Sequence, residues 1–576
     1  MEHEAADDTI VNLPERVGAG VVMVSVHAPD VSQLVLTVRS PSDDDGGERH
    51  VEAVPAPDRP GTWVATVSAE GGDRYWLTAD GVGPLVDPAA DDVVFEDGRP
   101  LGVVRTAPWP RQPSLGGHHP FPVVYEMHVR GFARTFAGAI ERLAHLSDLG
   151  VQVVELMPVH PFDTEGNHWG YMPVVWGAVH RPFAADADDA PGELAAFVAE
   201  AHRLGIEVWL DVVFNHTGEG SPDQPTWSLR GLDDAHAYRR RDDGSYTDDS
   251  GCGNDTNPAD EQVRDLVLQA LDRFADLGID GFRFDLASLL SRDGGTLVRR
   301  IGDWADQRNV VLVAEAWDMG AYEVGHRFPD GRWAQWNDRF RDDVRGFLRS
   351  EPGLVPNMIQ RVTGSPELFD GHAWRSLNFV TAHDGLTLHD LTAVTSDRHR
   401  SWDCGPDLRP QQIANAFSYL LMSAGPAMFV MGDEMARTQE GHDNPYDVDG
   451  PLTWLDWSRL DEWPDLMASV RRLVELRGLA DFSHVACFGP NGAPDLGYES
   501  RTLAWSTGAL YVIANAWWEP VTFTVQRPGP WHVAHTTAQD TIASGDGTVV
   551  AAPRSVTVLV HEGVPHDRRH PAQPGG

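Results

Sequence analysis

Four short segments close apolar runs with groups capable of acid, base or nucleophilic chemistry: DVVFNH at Asp211 to His216, GFRFD at Gly281 to Asp285, VAEAWD at Val313 to Asp318, and NFVTAHD at Asn378 to Asp384. Arg283 and Asp285 are two residues apart, so the strand period sends both side chains to one face. An adjacent guanidinium favours the charged carboxylate, which suits Asp285 to be a nucleophile. Glu315 follows VVLVA, an apolar lead that leaves it poorly solvated, raises its pKa and suits it to be a general acid. Two carboxyl groups pushed apart in pKa are what glycosidic cleavage requires, and a separation of about 5 to 5.5 Å would make it retaining. His216 and His383 could be metal ligands, but no HxH or HExxH spacing joins them, and a sugar hydroxyl needs the same donors. We expect no metal and no cofactor.

The elements that must hold these groups follow from the hydrophobic pattern. From Val123 onward, buried-strand runs (VVYEMHV, VQVVELM, IEVWLDVVF, IDGFRFD, VVLVAEA) alternate with amphipathic helical stretches. Asn257 and Pro258 offer a cap and first-turn proline; Val263, Val267, Ala270, Phe274 and Leu277 then repeat at helical spacing, and Gly278 ends the helix. Continuous β-branched runs between helices imply parallel strands covered on both faces. Over this length, and with no GxGxxG turn after the first strand, the pattern fits a (β/α)8 TIM barrel better than a doubly wound sheet. Catalytic groups in such a barrel come from the C-terminal ends of several strands.

Short alternating runs between Gly, Pro and Asp clusters, from Gly20 to Gly81 and again after Asp481, have the rhythm of β-sandwiches. The expected organisation is therefore multidomain: an N-terminal β-sandwich over residues 1–112, a catalytic barrel over 113–482 with an irregular insertion at about 215–257, a C-terminal β-sandwich over 483–565, and a disordered tail over 566–576.

Composition narrows the partners. The chain has 576 residues and a formal charge of −41, and all 45 of its strong cations are arginine. Such an acidic chain gains nothing from counterion release on phosphates, so nucleic acid is not expected. Without lysine there is no amine for a Schiff base. Cys252, Cys404 and Cys487 are too scattered for a disulfide framework, and Cys252 has no histidine beside it in sequence to act as a base. The acidic start has no apolar h-region, and the apolar stretch from Ala414 to Met431 is broken by Asn415, Ser418, Ser423 and Pro426. A cytoplasmic protein without a membrane partner is expected.

The four segments resemble, in order, the four signature regions of the α-amylase superfamily of glycoside hydrolases, family 13. Further stretches resemble its isoamylase and glycogen-debranching group: VYEMHVRGF at Val124, VVELMPVHPF at Val153, NHWGYMP at Asn167, GCGNDTN at Gly251, WAQWNDRFRDDVRGF at Trp333 and GDEMARTQEGHDNPY at Gly432. The N-terminal sandwich resembles a family 48 carbohydrate-binding module.

The resemblance implies a hydrolase of α-1,6 branch linkages acting on a branched α-glucan such as glycogen, amylopectin or limit dextrin. Asp285 would be the nucleophile, Glu315 the acid/base and Asp384 the third carboxylate, gripping ring hydroxyls. Arg283 would hold Asp285, Asp211 would support the site, His216 and His383 would bind hydroxyls, and Tyr171 would stack on the sugar ring. Trp317, beside Glu315, is the best of the tryptophans for packing on a sugar face. Two departures from the family, in TLHDLTAVTSDRHRSWDCG after the fourth signature and in HDNPYDVDG, fall in loops expected to line the far side of the cleft and to bear on branch-length preference. An α-1,4-acting maltooligosaccharide hydrolase or trehalohydrolase, and a catalytically silent glucan-binding protein, are the competing readings. GCGNDTN and RTQEGHDNPY count against the former, and the intact Asp285, Glu315 and Asp384 against the latter.

Overall fold

The computed structural model describes residues 20–41, 47–538, 541–543 and 547–562. The expected tail at 566–576 lies outside them, as do the first nineteen residues.

Eight short strands close a barrel in chain order: β1 (Val123–Met127), β2 (Val153–Leu156), β3 (Glu207–Val212), β4 (Gly281–Phe284), β5 (Val311–Ala314), β6 (Ala334–Asn337), β7 (Ser376–Phe379) and β8 (Ala427–Val430). Neighbouring strands, including β8 with β1, pair in parallel. All eight are buried or nearly so on both faces, which is why they read as continuous apolar runs without alternation.

The covering helices include α1 (Ala190–Arg203), α2 (Leu229–Ala237), α3 (Glu261–Asp276), α4 (Thr296–Arg308), α5 (Asp338–Leu348), α6 (Arg409–Leu421) and α7 (Pro464–Arg477). In α3, Val263, Val267, Ala270 and Phe274 are buried at helical spacing. Its cap differs from the expectation: Asp260, not Asn257, accepts the hydrogen bond of the Val263 N–H at 2.9 Å. Asn257 instead accepts from Ala259 N–H, closing a turn that precedes the helix. The insertion expected to be irregular contains α2, and the β5–β6 connection carries no helix, being occupied by residues 315–333 in turns and bends.

Antiparallel sheets pack face to face at both ends of the chain. On the N-terminal side, Val24, Val26, Ala65 and Val67 of a three-stranded sheet share a core with Leu36, Val38, Tyr75 and Leu77 of a larger one. On the C-terminal side, Tyr511, Ile513 and Leu559 of a five-stranded sheet meet Phe523, Val549 and Ala551 of a three-stranded one. Among the described residues, no helix is long and apolar enough to cross a membrane.

Candidate active site

Strand register brings the polar residues together. Asp211 on β3 pairs directly with Arg283 on β4, so in a parallel ladder their side chains share the barrel interior. Arg283 is fully buried and lies over the Trp336 ring at 4.2 Å. One of its terminal nitrogens donates to Asp211 at 2.8 and 2.9 Å and to Asp285 Oδ1 at 3.1 Å; the other donates to Glu315 Oε2 at 2.9 Å. A single guanidinium thus ties together the carboxylates of three successive strands, a task for which its rigid planar fork is suited.

Asp285 follows β4 directly, and its second oxygen, Oδ2, accepts from Asn215 Nδ2 at 2.8 Å. The next residue, Leu286, has a left-handed backbone with φ of 39°. This conformation is costly for a branched side chain. It turns the Leu286 N–H onto Glu315 Oε2 at 2.9 Å. That oxygen therefore holds two donors, while Oε1 of Glu315 takes no hydrogen bond from any described residue. Burial pushes the Glu315 carboxyl up to about 8 against the opposing pull of Arg283, with Asp285 adding to the rise. Burial likewise lifts Asp211 to about 6, with Arg283 opposing.

Asp384 stands beyond β7 at the solvent-exposed rim, five residues past the end of the strand. The surrounding protein opposes its charge, but His383, Arg341 and Arg283 outweigh this and hold its carboxyl below the usual range. Tyr171 stacks on His383, with ring centroids 4.8 Å apart and planes at 23°, and its hydroxyl donates to Asp211 at 2.6 Å. Trp317 lies in the helix-free β5–β6 connection. With Asp318, Tyr322, Asp338 and Arg341 it lines an open pocket of about 460 Å³.

His216 is placed differently from the expectation. Its Nε2 meets the Tyr171 carbonyl at 2.5 Å and its Nδ1 meets Asn215 Oδ1, so both ring nitrogens are engaged within the protein. It braces Tyr171 and Asn215 and has no nitrogen left for a hydroxyl. Burial opposes its charge, but Cys252, Asp285 and the Tyr171 carbonyl push it up to about 9. Cys252, which has no neighbouring histidine in sequence, is thus brought against one by the fold.

Two acids were missed by the sequence reading. Glu126 on β1 and Glu155 on β2 are cross-strand partners, both buried. Glu126 meets His383 Nδ1 at 2.7 Å. Glu155 has no hydrogen-bond partner on either oxygen among the described residues, and burial, reinforced by Glu126 and Asp211, raises it well above the usual carboxylate range. The available signal was an acid inside an otherwise apolar strand, as in VVYEM and VVEL.

With this geometry in place, the chain can be set beside known proteins. Residues 120–227 match the family model for the α-amylase catalytic domain. The isoamylase of a Flavobacterium species is 33% identical over 550 residues, which cover 76% of this chain and 70% of that one. The chain belongs to the isoamylase and glycogen-debranching group of the α-amylase superfamily. Within that group, the glycogen operon protein GlgX homologue of Mycobacterium tuberculosis is 37% identical over 447 residues, covering 67% of this chain. The match spans 62% of that relative's length. The fold is also that of a pullulanase from Anoxybacillus sp. LM18-11 solved with maltotetraose, with a TM-score of 0.80 at 24% identity, covering 96% of this chain and 87% of that one.

Proposed function

We propose that the chain is a cytoplasmic retaining glycoside hydrolase that cleaves α-1,6 branch linkages in glycogen or related α-glucans. The observation that carries this reading is the Arg283 fork, which gathers Asp285 and Glu315 from adjacent strands at one end of the barrel.

In the first step, a carboxylate oxygen of Asp285 attacks the anomeric carbon while Glu315 protonates the departing glycosidic oxygen. Asp285 is kept oriented by Asn215 and Arg283, one on each oxygen. Glu315 is held through Oε2, which leaves Oε1 to carry the transferred proton. The glycosyl–enzyme ester is then opened by water, from which Glu315 takes the proton back. Asp384 and His383, on the rim side, grip ring hydroxyls, and Tyr171 offers its ring to the sugar face. Trp317 flanks the leaving chain.

The experiment is chain-length profiling of the products from glycogen, amylopectin and linear maltoheptaose. Release of linear chains with a gain in iodine absorbance is expected. Digestion of maltoheptaose with branched polymers left intact would instead favour an α-1,4-acting enzyme.

A further inference from the structure

One aromatic surface lies on the C-terminal sheets, outside the carboxylate cluster. Helix α5 ends beside the first turn of α6, where the Gln412 side chain donates to the Leu348 carbonyl at 3.2 Å. There the C-terminal sheets meet the barrel: the Ser350 hydroxyl donates to the Ala516 carbonyl at 2.6 Å, and the Gly353 N–H donates to the Tyr498 carbonyl at 2.7 Å.

Next to this junction the turn AWWEP presents two stacked indoles. Trp517 and Trp518 have centroids 4.0 Å apart and planes at 19°, and Trp518 is 50% exposed. The turn is rigid, because the Asn515 side chain donates to the Glu519, Ala551 and Ala552 carbonyls and accepts from the Trp517 N–H. Tyr498 is 68% exposed and comes within 3.1 Å of the space a side chain would fill at Gly353, which packs the ring flat on that glycine.

Against the stacked indoles sits Arg501, whose guanidinium carbon is 5.1 and 5.5 Å from the Trp517 and Trp518 rings. Its side chain is only 8% exposed. Its Nε and one terminal nitrogen donate to the Ser350 and Glu499 carbonyls; the other terminal nitrogen, Nη2, has no partner among the described residues. Three residues separate Tyr498 from Arg501, a reach of about 11 Å at most.

We propose that Trp518, Tyr498 and Arg501 form a second carbohydrate site that takes a linear stretch of neutral α-glucan, on the C-terminal sheets and outside the carboxylate cluster. Sugar C–H faces pack on exposed indole and phenol rings, and the spare Arg501 nitrogen supplies a hydroxyl donor. The Arg501 charge is answered by Glu499 at 3.3 Å, so the patch offers nothing to an anionic partner. A second copy of the chain would bring another −41 charges, and that repulsion opposes self-association here. A neutral polymer meets no such penalty. The proposal rests on the reading of this chain as a glucan-acting enzyme, since a long polymer can occupy this surface and the carboxylate site at once and gain avidity.

The test is electrophoretic retention of the full chain in gels containing glycogen, comparing the unaltered protein with Trp518→Ala, Tyr498→Ala and the double variant, and hydrolysis of the same glycogen is assayed separately. The dissociation constant should rise about tenfold in Trp518→Ala and further in the double variant. Equal retention of all four proteins overturns the platform, and so does no retention of the unaltered chain. A glucan-independent change of oligomeric state in the variants, with retention preserved, also overturns it and identifies the rings as a contact between copies. Retention lost in the variants while the unaltered chain binds but does not hydrolyse supports the platform and sinks the debranching reading instead.

Discussion

Glu126 and His383, 257 residues apart in sequence, meet in a 2.7 Å hydrogen bond between strand β1 and the loop beyond β7. Burial alone would discharge the imidazole, but the Glu126 carboxylate and the nearby Asp384 push His383 up to about 9. The histidine that follows the stacked Tyr171 ring is thereby kept charged at neutral pH. Replacing Glu126 with Gln removes that support. We expect KM for branched glucans to rise about tenfold with a smaller change in kcat, and the pH dependence of KM to move into the range of an ordinary histidine. Steady-state kinetics from pH 5 to 9 check this; an unchanged KM profile would show that Glu126 is mere filler.

Asp285→Ala and Glu315→Gln should each reduce turnover by several orders of magnitude while leaving glucan binding and the fold largely intact. Near-normal turnover in either variant refutes the assignment.

Glu315→Gln should also change stability. A carboxyl raised to about 8 in the folded state holds a proton that the unfolded chain releases near pH 4, so between those values rising pH destabilises the fold. Glu315→Gln removes that liability and should gain on the order of 1–3 kcal/mol at pH 7, with no gain at pH 4. Thermal unfolding at the two pH values is the measurement.

Activity should fall on the alkaline side as Glu315 loses its proton, with the limb centred near 8. The general acid works only while protonated, so the sign is fixed even if substrate shifts the midpoint. A profile flat to pH 9.5 would count against Glu315 as the acid.

The two loops that depart from the family are fastened to each other through Asp443. Its carbonyl accepts from the Gly385 N–H at 2.8 Å, and its side chain meets His399 Nε2 at 2.7 Å. Gly385 adjoins Asp384, so this clasp closes one wall of the cleft. Asp443→Ala should loosen that wall and broaden the range of branch lengths released, with little change in melting temperature. Product profiling decides it; an unaltered profile would place specificity elsewhere.

The barrel was legible because its strands are buried on both faces and read as unbroken apolar runs. The Arg283–Asp285 pair was legible because strand period alone puts both on one face. His216 was not, because the direction of its ring is set by Asn215 and the Tyr171 carbonyl, the latter 45 residues away. Glu126 and Glu155 escaped because a lone acid in an apolar run acquires meaning only from cross-strand neighbours. The contact of Cys252 with His216 likewise depends on how the insertion folds back, which no local spacing encodes, whereas the cap at Asp260 is a local bond to Val263, three residues on.

The connection between β5 and β6 has no helix to pack, yet it carries Trp317 beside Glu315 and leaves Met319 77% exposed. Its turn is pinned from the Gly320 and Ala321 N–H groups and from Ser288 and Arg292 to the Asp318 carboxylate, and Val324 and Phe328 beyond it are buried. Insertions at the exposed Met319–Gly320 tip would therefore not have to preserve a helix–strand interface or displace Val324 and Phe328, which makes this tip the natural place to graft new architecture beside an unchanged carboxylate cluster.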